Sequence, residues 1–346
     1  MKAKAKHFKE QAMKYIYDDL ADKKILITGG AGFIGSNLAF YFQKHHPQAQ
    51  IFVFDKFRND ELFPSGNPTS LGHFKNLIGF KGNVIVGDIN NAKDLEKLRA
   101  YDFDIIYHQA AISDTTVLNQ ELVMKTNHEA FLNLLEIAKD CEAIMIYASS
   151  AGTYGNSPAP NIVGIGELPE NVYGYSKLCM DESVRKILQN EPHRHIIGLR
   201  YFNVYGEREF YKDKTASMIL QLGLQALEHK KVRLFKHGEQ KRDFVYIEDV
   251  IQANVKAIEA QNGGIYNVGS GKARSFNDIV AALKAGLGDF EVEYFDNPYS
   301  FFQTHTEADI TQTQQDLSYT PHFNLESGIE RYLQEIKNIF ASKAHK

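Results

Sequence analysis

Tyr173 and Lys177 lie four residues apart in the run Tyr173-Gly174-Tyr175-Ser176-Lys177. On a helix the two side chains share a face. A lysine ammonium beside a phenol lowers the phenol pKa, so the tyrosinate can take a proton from a carbinol as hydride leaves the same carbon. The spacing alone is weak, because 18 tyrosines and 29 lysines in 346 residues give about 1.5 such pairs by chance. The order of features along the chain gives it weight. A glycine-rich stretch comes first, then a serine pair, Ser149-Ser150, at the end of an apolar run, then the pair itself.

The glycine-rich stretch is Thr28-Gly29-Gly30-Ala31-Gly32-Phe33-Ile34-Gly35. It follows a strand-like run, Lys24 to Thr28, and opens a helix-like one, Ser36 to Lys44. In that setting Gly29, Gly32 and Gly35 permit a tight turn and close approach of backbone to a pyrophosphate, while free N–H groups at the helix start attract it. Asp55 ends the next apolar run, where a carboxylate can accept from an adenosine ribose and favour NAD. Lys56 and Arg58 follow at once and could hold a 2′-phosphate, favouring NADP. The two cues conflict.

These residues need a frame. Short apolar runs recur at 51–54, 84–86, 105–107 and 143–147, with helix-like stretches such as 92–100 and 126–140 between most of them. That alternation predicts an α/β fold: a Rossmann-type, doubly wound parallel sheet. Beyond about residue 200 the pattern loosens, with a helix expected over 216–229 and a strand over 232–235, which suggests a smaller, discontinuous C-terminal substrate-binding domain. The expected division is a polar, partly helical extension at 1–23, a dinucleotide-binding domain at 24–205, and a mainly substrate-binding domain at 206–346 with segments returning to the first. Residues 58–83 contain Pro64, Gly66, Pro68, Gly72, Gly79 and Gly82 and read as a long loop with one helical turn.

Composition narrows the partners. Hydrophobic residues make up 43% of the chain and the net charge is −4, so a core is expected and nucleic acid is not. Two cysteines provide no disulfide framework and suit a reducing cytoplasm. No apolar run reaches the ~18–20 residues that span a bilayer. None of the 13 histidines falls into metal-ligand spacing, so no metal site is expected. His108 reads as a packed residue behind the cofactor loop, and Cys179 as core. The aromatic group Tyr299, Phe301 and Phe302 could line a ligand or pack a core equally well.

Taken together, the glycine stretch, the strand end Tyr147-Ala148-Ser149-Ser150-Ala151 and the Tyr173–Lys177 pair resemble the extended short-chain dehydrogenase/reductases, from Lys24 to about Phe340. The resemblance implies Tyr173 as acid/base, Lys177 as cofactor-binding lysine and Ser150 as hydrogen-bond partner of the reacting oxygen. It implies cofactor contacts from Gly29, Gly32, Phe33, Ile34, Gly35, Asp55, Lys56, Arg58, Gln109, Ala110, Ala111, Ser113, Asn127, Lys177 and Val204. Within the family, His108 to Thr116, Phe202 to Lys212 and Thr306-Glu307-Ala308-Asp309 resemble the branch that epimerises ADP-glycero-manno-heptoses at C6. That branch implies Lys212 as a second catalytic base, and substrate contacts from Ser113, Ser150, Asn203, Lys214, Gln221, Phe235, Arg242 and Phe302. The implied reaction is transient oxidation and re-reduction at C6 of an ADP-heptose with bound NADP, NAD remaining an option, which would supply heptose for the lipopolysaccharide inner core. The implied assembly is a homo-oligomer, with a pentamer among the options.

The chain departs from that pattern. Residues 1–23 are extra and the loop 58–83 is longer. Phe302 stands where a tyrosine is expected, and Lys214 and Gln221 where a serine and a histidine are. Two other readings stay open. One is a UDP-sugar 4-epimerase or 4,6-dehydratase, the latter disfavoured because Ser149 to Tyr154 lacks adjacent carboxylates. The other is a non-catalytic dinucleotide-binding protein on the same fold.

Overall fold

The first strand shows why the chain folds as it does. In β1 (Lys24–Thr28) Ile25 and Ile27 enter one buried cluster and Leu26 another, because successive side chains of a strand point to opposite faces. A strand covered on both faces is apolar through its middle, as this one is at Ile25, Leu26 and Ile27. The computed structural model describes residues 13–16, 19–296 and 305–344.

β1 leads through the glycine turn into α1 (Phe33–His45), then β2 (Gln50–Asp55), β3 (Asn83–Val86), α2 (Ala92–Arg99) and β4 (Ile105–His108). A long helix follows as α3 (Gln120–Met124), one π turn at Lys125–Glu129, and α4 (Ala130–Asp140). Next come β5 (Ile144–Ser150), α5 (Val172–Asn190), β6 (Ile196–Tyr201) and the short β7 (Asn203–Tyr205). The C-terminal part holds α6 (Met218–His229), β8 (Lys231–Phe235), β9 (Lys241–Tyr246), α7 (Ile247–Lys256), β10 (Gly264–Val268), β11 (Ala273–Ser275), α8 (Phe276–Leu287), β12 (Glu291–Phe295), α9 (Thr311–Leu317) and α10 (Leu325–Ala344).

Seven parallel strands form the main sheet in the order β10-β6-β5-β4-β1-β2-β3. The winding reverses between β1 and β4, so a crevice opens at their carboxyl ends, the usual ligand position in such sheets. α1 and α7 pack together on one face, while α2 and α4 contact each other and α5 covers β5 and β6. The doubly wound α/β fold expected from the sequence is present. β10 and α7 return to the main sheet, whereas β7 leaves it for a small sheet, β11-β9-β7. A second small sheet pairs β12 with β8, and α6, α8 and α10 pack against one another around it.

The loop between β2 and β3 contains a 3-10 turn at Phe74–Leu77 and one bridge between Leu62 and Pro68. The described part of the N-terminal extension is more than polar. Ile16 and Leu20 are buried in the α1-side core, and the Tyr15 ring stacks on Tyr41 with centroids 5.5 Å apart. Cys179 is half-buried rather than core. It sits on α5, whose buried face is carried by Met180, Asp181 and Val184. No helix among the described residues is long and apolar enough to cross a membrane.

Candidate active site

A cleft of about 470 Å³ runs along the carboxyl edge of β1, β2 and β4 and reaches the starts of α1 and α5, a size typical of small-molecule sites. Gly29, Gly32, Phe33, Ile34 and Gly35 form its floor. Gly29 has φ +66°, and a Cβ there would stand 2.7 Å from the Ala110 nitrogen, so glycine is required for both conformation and clearance. Gly32 caps α1 in extended conformation with no side-chain acceptor, which leaves the first-turn N–H groups open to an anion. This cradle fits a dinucleotide pyrophosphate. Gln109, Ala110, Ala111 and Ser113 line the wall after β4.

At the chemical end, Ser150, Tyr173 and Lys177 line the cleft together. Asn171 caps α5 by accepting from the Gly174 N–H at 2.9 Å, which starts the helix where Tyr173 and Lys177 share a face. Lys177 is 1% exposed and donates to the Ala148 carbonyl at 2.7 Å. Burial brings its pKa down to about 8, opposed by the Asp181 carboxylate. The Lys177 nitrogen lies 6.0 Å from the Tyr173 ring centroid. Burial raises the Tyr173 pKa, and a hydrogen bond with Ser150 pulls it back. Burial outweighs that bond, so the phenol stands above its ordinary range rather than below it.

Ser150 also accepts from the Gly152 N–H at 3.0 Å, which turns the chain into a 3-10 turn, Ala151–Tyr154. Thr153 is buried and donates to the Ser150 carbonyl at 2.9 Å. Behind the site, His108 is fully buried and bonded to the Thr28 hydroxyl at 2.8 Å. Burial, with help from the Lys177 charge, lowers its pKa to about 3, so it stays neutral near pH 7.

Lys212 lines the same cleft, on a 3-10 segment, Phe210–Thr215, that kinks at Asp213. Its nitrogen lies 5.6 Å from the Phe33 ring centroid. Burial lowers its pKa, and the buried Glu209 carboxylate opposes that shift. Val204 and Thr215 complete this wall.

The chain matches the model of the NAD dependent epimerase/dehydratase family over residues 25–269. The chain belongs to the NAD dependent epimerase/dehydratase family. It is 62% identical to the ADP-L-glycero-D-manno-heptose-6-epimerase of Helicobacter pylori, with 94% of this chain and 99% of that one covered and a TM-score of 0.88. It is 29% identical to the UDP-glucuronic acid 4-epimerase of Bacillus cereus, solved with UDP-glucuronic acid and NAD, at 91% and 99% coverage and a TM-score of 0.77. A UDP-N-acetylglucosamine 4-epimerase from Methanobrevibacter ruminantium, in complex with UDP-N-acetylmuramic acid, is 26% identical, at 93% and 99% coverage and a TM-score of 0.79.

In this epimerase/dehydratase-family chain the part of the cleft beside the end of β2 departs from the sequence expectation. Asp55 lines the cleft but spends its carboxylate on the loop, accepting from Ala31 N–H at 2.9 Å and Phe57 N–H at 2.7 Å. Lys56 lines the cleft and pairs with Asp88 at 3.1 Å. Arg58 is withdrawn from the cleft. Its guanidinium pairs with Asp213 at 2.7 Å and donates to the Tyr211 carbonyl. The long loop supplies Glu61, Phe63, Thr69, Ser70, Leu71 and Gly72 to the lining instead.

Other expected contacts of this family member also lie outside the described cleft. Asn127 is wholly buried on the π turn. Its amide bonds both backbone groups of Ile112, at 2.8 and 3.0 Å, and the Ser176 hydroxyl at 3.0 Å. It ties the Ser113 loop to α5, and Thr126 reaches the lining in its place. Gln221 donates to the Ala216 and Lys214 carbonyls and braces the turn. Lys214 is exposed at the loop, and Asn203 is exposed on β7. Phe235 packs on Phe295, with centroids 5.0 Å apart. Arg242 donates to the Lys241 carbonyl at 2.9 Å, and burial lowers its pKa to about 10. Phe302, with Tyr299 and Phe301, lies outside the described residues.

The sequence reading missed a buried ionic network beneath the serines. Asp181 accepts from Tyr147 at 2.8 Å, from Ser149 at 2.9 Å and from the Arg200 Nε at 2.8 Å. Arg200 also reaches Glu167 at 2.6 Å, and Arg185 holds the same carboxylate through two 2.7 Å bonds. The one available clue was Asp181, four residues after Lys177 and therefore on the same helical face.

Proposed function

We propose that this protein is an ADP-glycero-manno-heptose 6-epimerase, interconverting ADP-D-glycero-β-D-manno-heptose and ADP-L-glycero-β-D-manno-heptose by transient oxidation at C6. The observation that carries the reading is that Tyr173 and Lys212, the two candidate proton-transfer groups, both line one cleft. The 62% identity to the H. pylori enzyme over nearly the whole chain supports it.

The C6 hydrogen of such a sugar is not acidic, so inversion by simple deprotonation is excluded. Bound NAD(P) supplies a hydride acceptor and donor for that carbon. Tyr173 removes the hydroxyl proton in one sugar pose, with the Ser150 hydroxyl holding the same oxygen. Lys212 exchanges the proton in the pose that presents the opposite face. Lys177 carries charge near the phenol and binds the cofactor ribose.

Of the two dinucleotides we favour NADP. Lys56 lines the adenosine end, and its ion pair with Asp88 joins partly exposed side chains. Such pairs are worth about 0–1 kcal/mol, so a 2′-phosphate could draw Lys56 away. We also favour a homo-oligomer, checked by light scattering on the eluting protein.

The test is NMR of the purified protein incubated separately with ADP-D-glycero-β-D-manno-heptose and with UDP-galactose, and mass spectrometry of the dinucleotide it releases. Epimerisation of the heptose at C6 alone is expected. Turnover of UDP-galactose alone would make the chain a 4-epimerase, and no turnover of either with cofactor bound would favour a non-catalytic protein.

A further inference from the structure

The residue withdrawn from the cofactor cleft has a second employment. Arg58 grips the residues on both sides of Lys212. One guanidinium nitrogen pairs with the Asp213 carboxylate at 2.7 Å, and another donates to the Tyr211 carbonyl. Fifteen positions along the same loop, the His73 ring lies flat on Tyr211, centroids 3.8 Å apart and planes 7° from parallel. The backbone there is bent. Asp213 has φ 51° and ψ −122°, which breaks the 3-10 turn right after Lys212. A non-glycine residue in that region costs of order 1–3 kcal/mol and persists only when its surroundings hold it. Arg58 supplies that hold from outside the segment.

We infer that Arg58 is a positioning residue for Lys212, acting through Tyr211 and Asp213, and that the long β2–β3 loop thereby couples the cofactor seat to the second proton-transfer group. The inference rests on the proposed role of Lys212. Three further links run through the same loop. Its inner side lines the cleft with Phe63, Thr69 and Ser70. The His73 N–H donates to the Ala31 carbonyl of the glycine turn at 3.0 Å. Asn67 donates to Asp114, beside Ser113, at 2.7 Å. One loop thus contacts the phosphate turn, the substrate-side loop and the Lys212 segment. The guanidinium closes a contact 153 to 155 residues away in sequence. Lys212 itself is half-buried, and burial lowers its pKa against the Glu209 carboxylate.

The test compares Arg58→Ala, Arg58→Lys, Asp213→Asn and Lys212→Met as cofactor-loaded full-length proteins. Each is assayed for kcat and KM with ADP-heptose across pH, for cofactor content by mass spectrometry, and for melting temperature. Misplacement by about 1 Å can cost a hundredfold in rate, so Arg58→Ala is expected to lower kcat about ten- to hundredfold. KM and cofactor content should change little, and Arg58→Lys should recover part of the loss. The pH-rate limb that Lys212→Met removes should move toward the ordinary lysine range in Arg58→Ala. The double variant Arg58→Ala/Lys212→Met should be no slower than Lys212→Met alone. If Arg58→Ala unfolds, Asp213→Asn provides the same readouts with the loop intact. Loss of cofactor from Arg58→Ala, unchanged kcat, or additive losses in the double variant would each overturn the inference while leaving Lys212 as a base. Normal turnover by Lys212→Met would instead overturn the two-base reading itself.

Discussion

Lys177 spans from α5 to the end of β5, donating to the Ala148 carbonyl at 2.7 Å, two residues before Ser150. This contact fixes the distance between the helix that carries Tyr173 and the strand end that carries Ser150. It also places a buried cation whose pKa burial draws down to about 8 against the opposing Asp181 carboxylate. Structure and proton chemistry are therefore tied at one side chain.

Tyr173→Phe keeps the ring and removes the hydroxyl. Loss of a positioned acid/base group typically costs roughly 100- to 10,000-fold. Heptose epimerisation followed by NMR should fall by that amount, with bound dinucleotide unchanged by mass spectrometry. Retention of more than a tenth of the activity would remove Tyr173 from the chemistry.

Lys177 makes stability depend on pH with a definite sign. Its folded pKa of about 8 lies below the ordinary lysine value of about 10.4. Between those values the unfolded chain binds a proton that the folded chain lacks, so the folded state gains as pH rises through that window. In cofactor-stripped protein, the melting temperature of the wild type relative to Lys177→Met should rise from pH 8 to pH 10. A difference that stays flat over that range would show that Lys177 titrates normally.

Gly35→Ala places a Cβ 2.4 Å from the Gly29 carbonyl and 2.8 Å from the Gly30 Cα, both backbone atoms. The turn must open to admit it. The variant should purify with less than a tenth of the wild-type dinucleotide, read from absorbance and mass spectrometry, while its far-ultraviolet circular dichroism stays native. Full cofactor occupancy would mean that the turn is not the phosphate cradle.

Asp181→Ala leaves the Arg200 guanidinium buried with one carboxylate partner fewer and removes the acceptor of Tyr147 and Ser149. Breaking a buried pair by deleting one partner costs about 3–5 kcal/mol. Urea unfolding should show a loss of that size, and kcat should fall because Ser149 and Ser150 share the loosened strand end. A loss under 1 kcal/mol would show that water repairs the network.

Much of the frame was legible because it rests on local rules. Ile25, Leu26 and Ile27 form a strand buried on both faces, and the glycines from Gly29 to Gly35 permit a tight turn into the start of a helix. Tyr173 and Lys177 meet because four residues make about one helical turn. The same logic failed where a long-range contact decides the role. Arg58 looks like a phosphate ligand from its place after Asp55, yet Asp213 and the Tyr211 carbonyl hold it elsewhere. Asn127 looks like a cofactor contact, yet the π turn buries it against Ile112 and Ser176. Tyr15 and Ile16 sit in a segment that reads as polar, and they still find Tyr41 and the α1-side core.

The sequence by itself determined the doubly wound sheet and the glycine turn, since each follows from periodicity or from spacing within one or two elements, while the resemblance to the extended short-chain dehydrogenase/reductases is what singled out Ser150 beside Tyr173 and Lys177. Only the tertiary structure decided that the β2–β3 loop lines the cleft and that Arg58 holds the residues on either side of Lys212, and it set Lys212, which the resemblance had singled out, on the same cleft as Tyr173. These outcomes depend on which of several energetically similar partners a charged or polar side chain meets after the chain has folded back on itself. That choice is made by contacts between residues far apart in the chain, which residue type and local spacing do not encode.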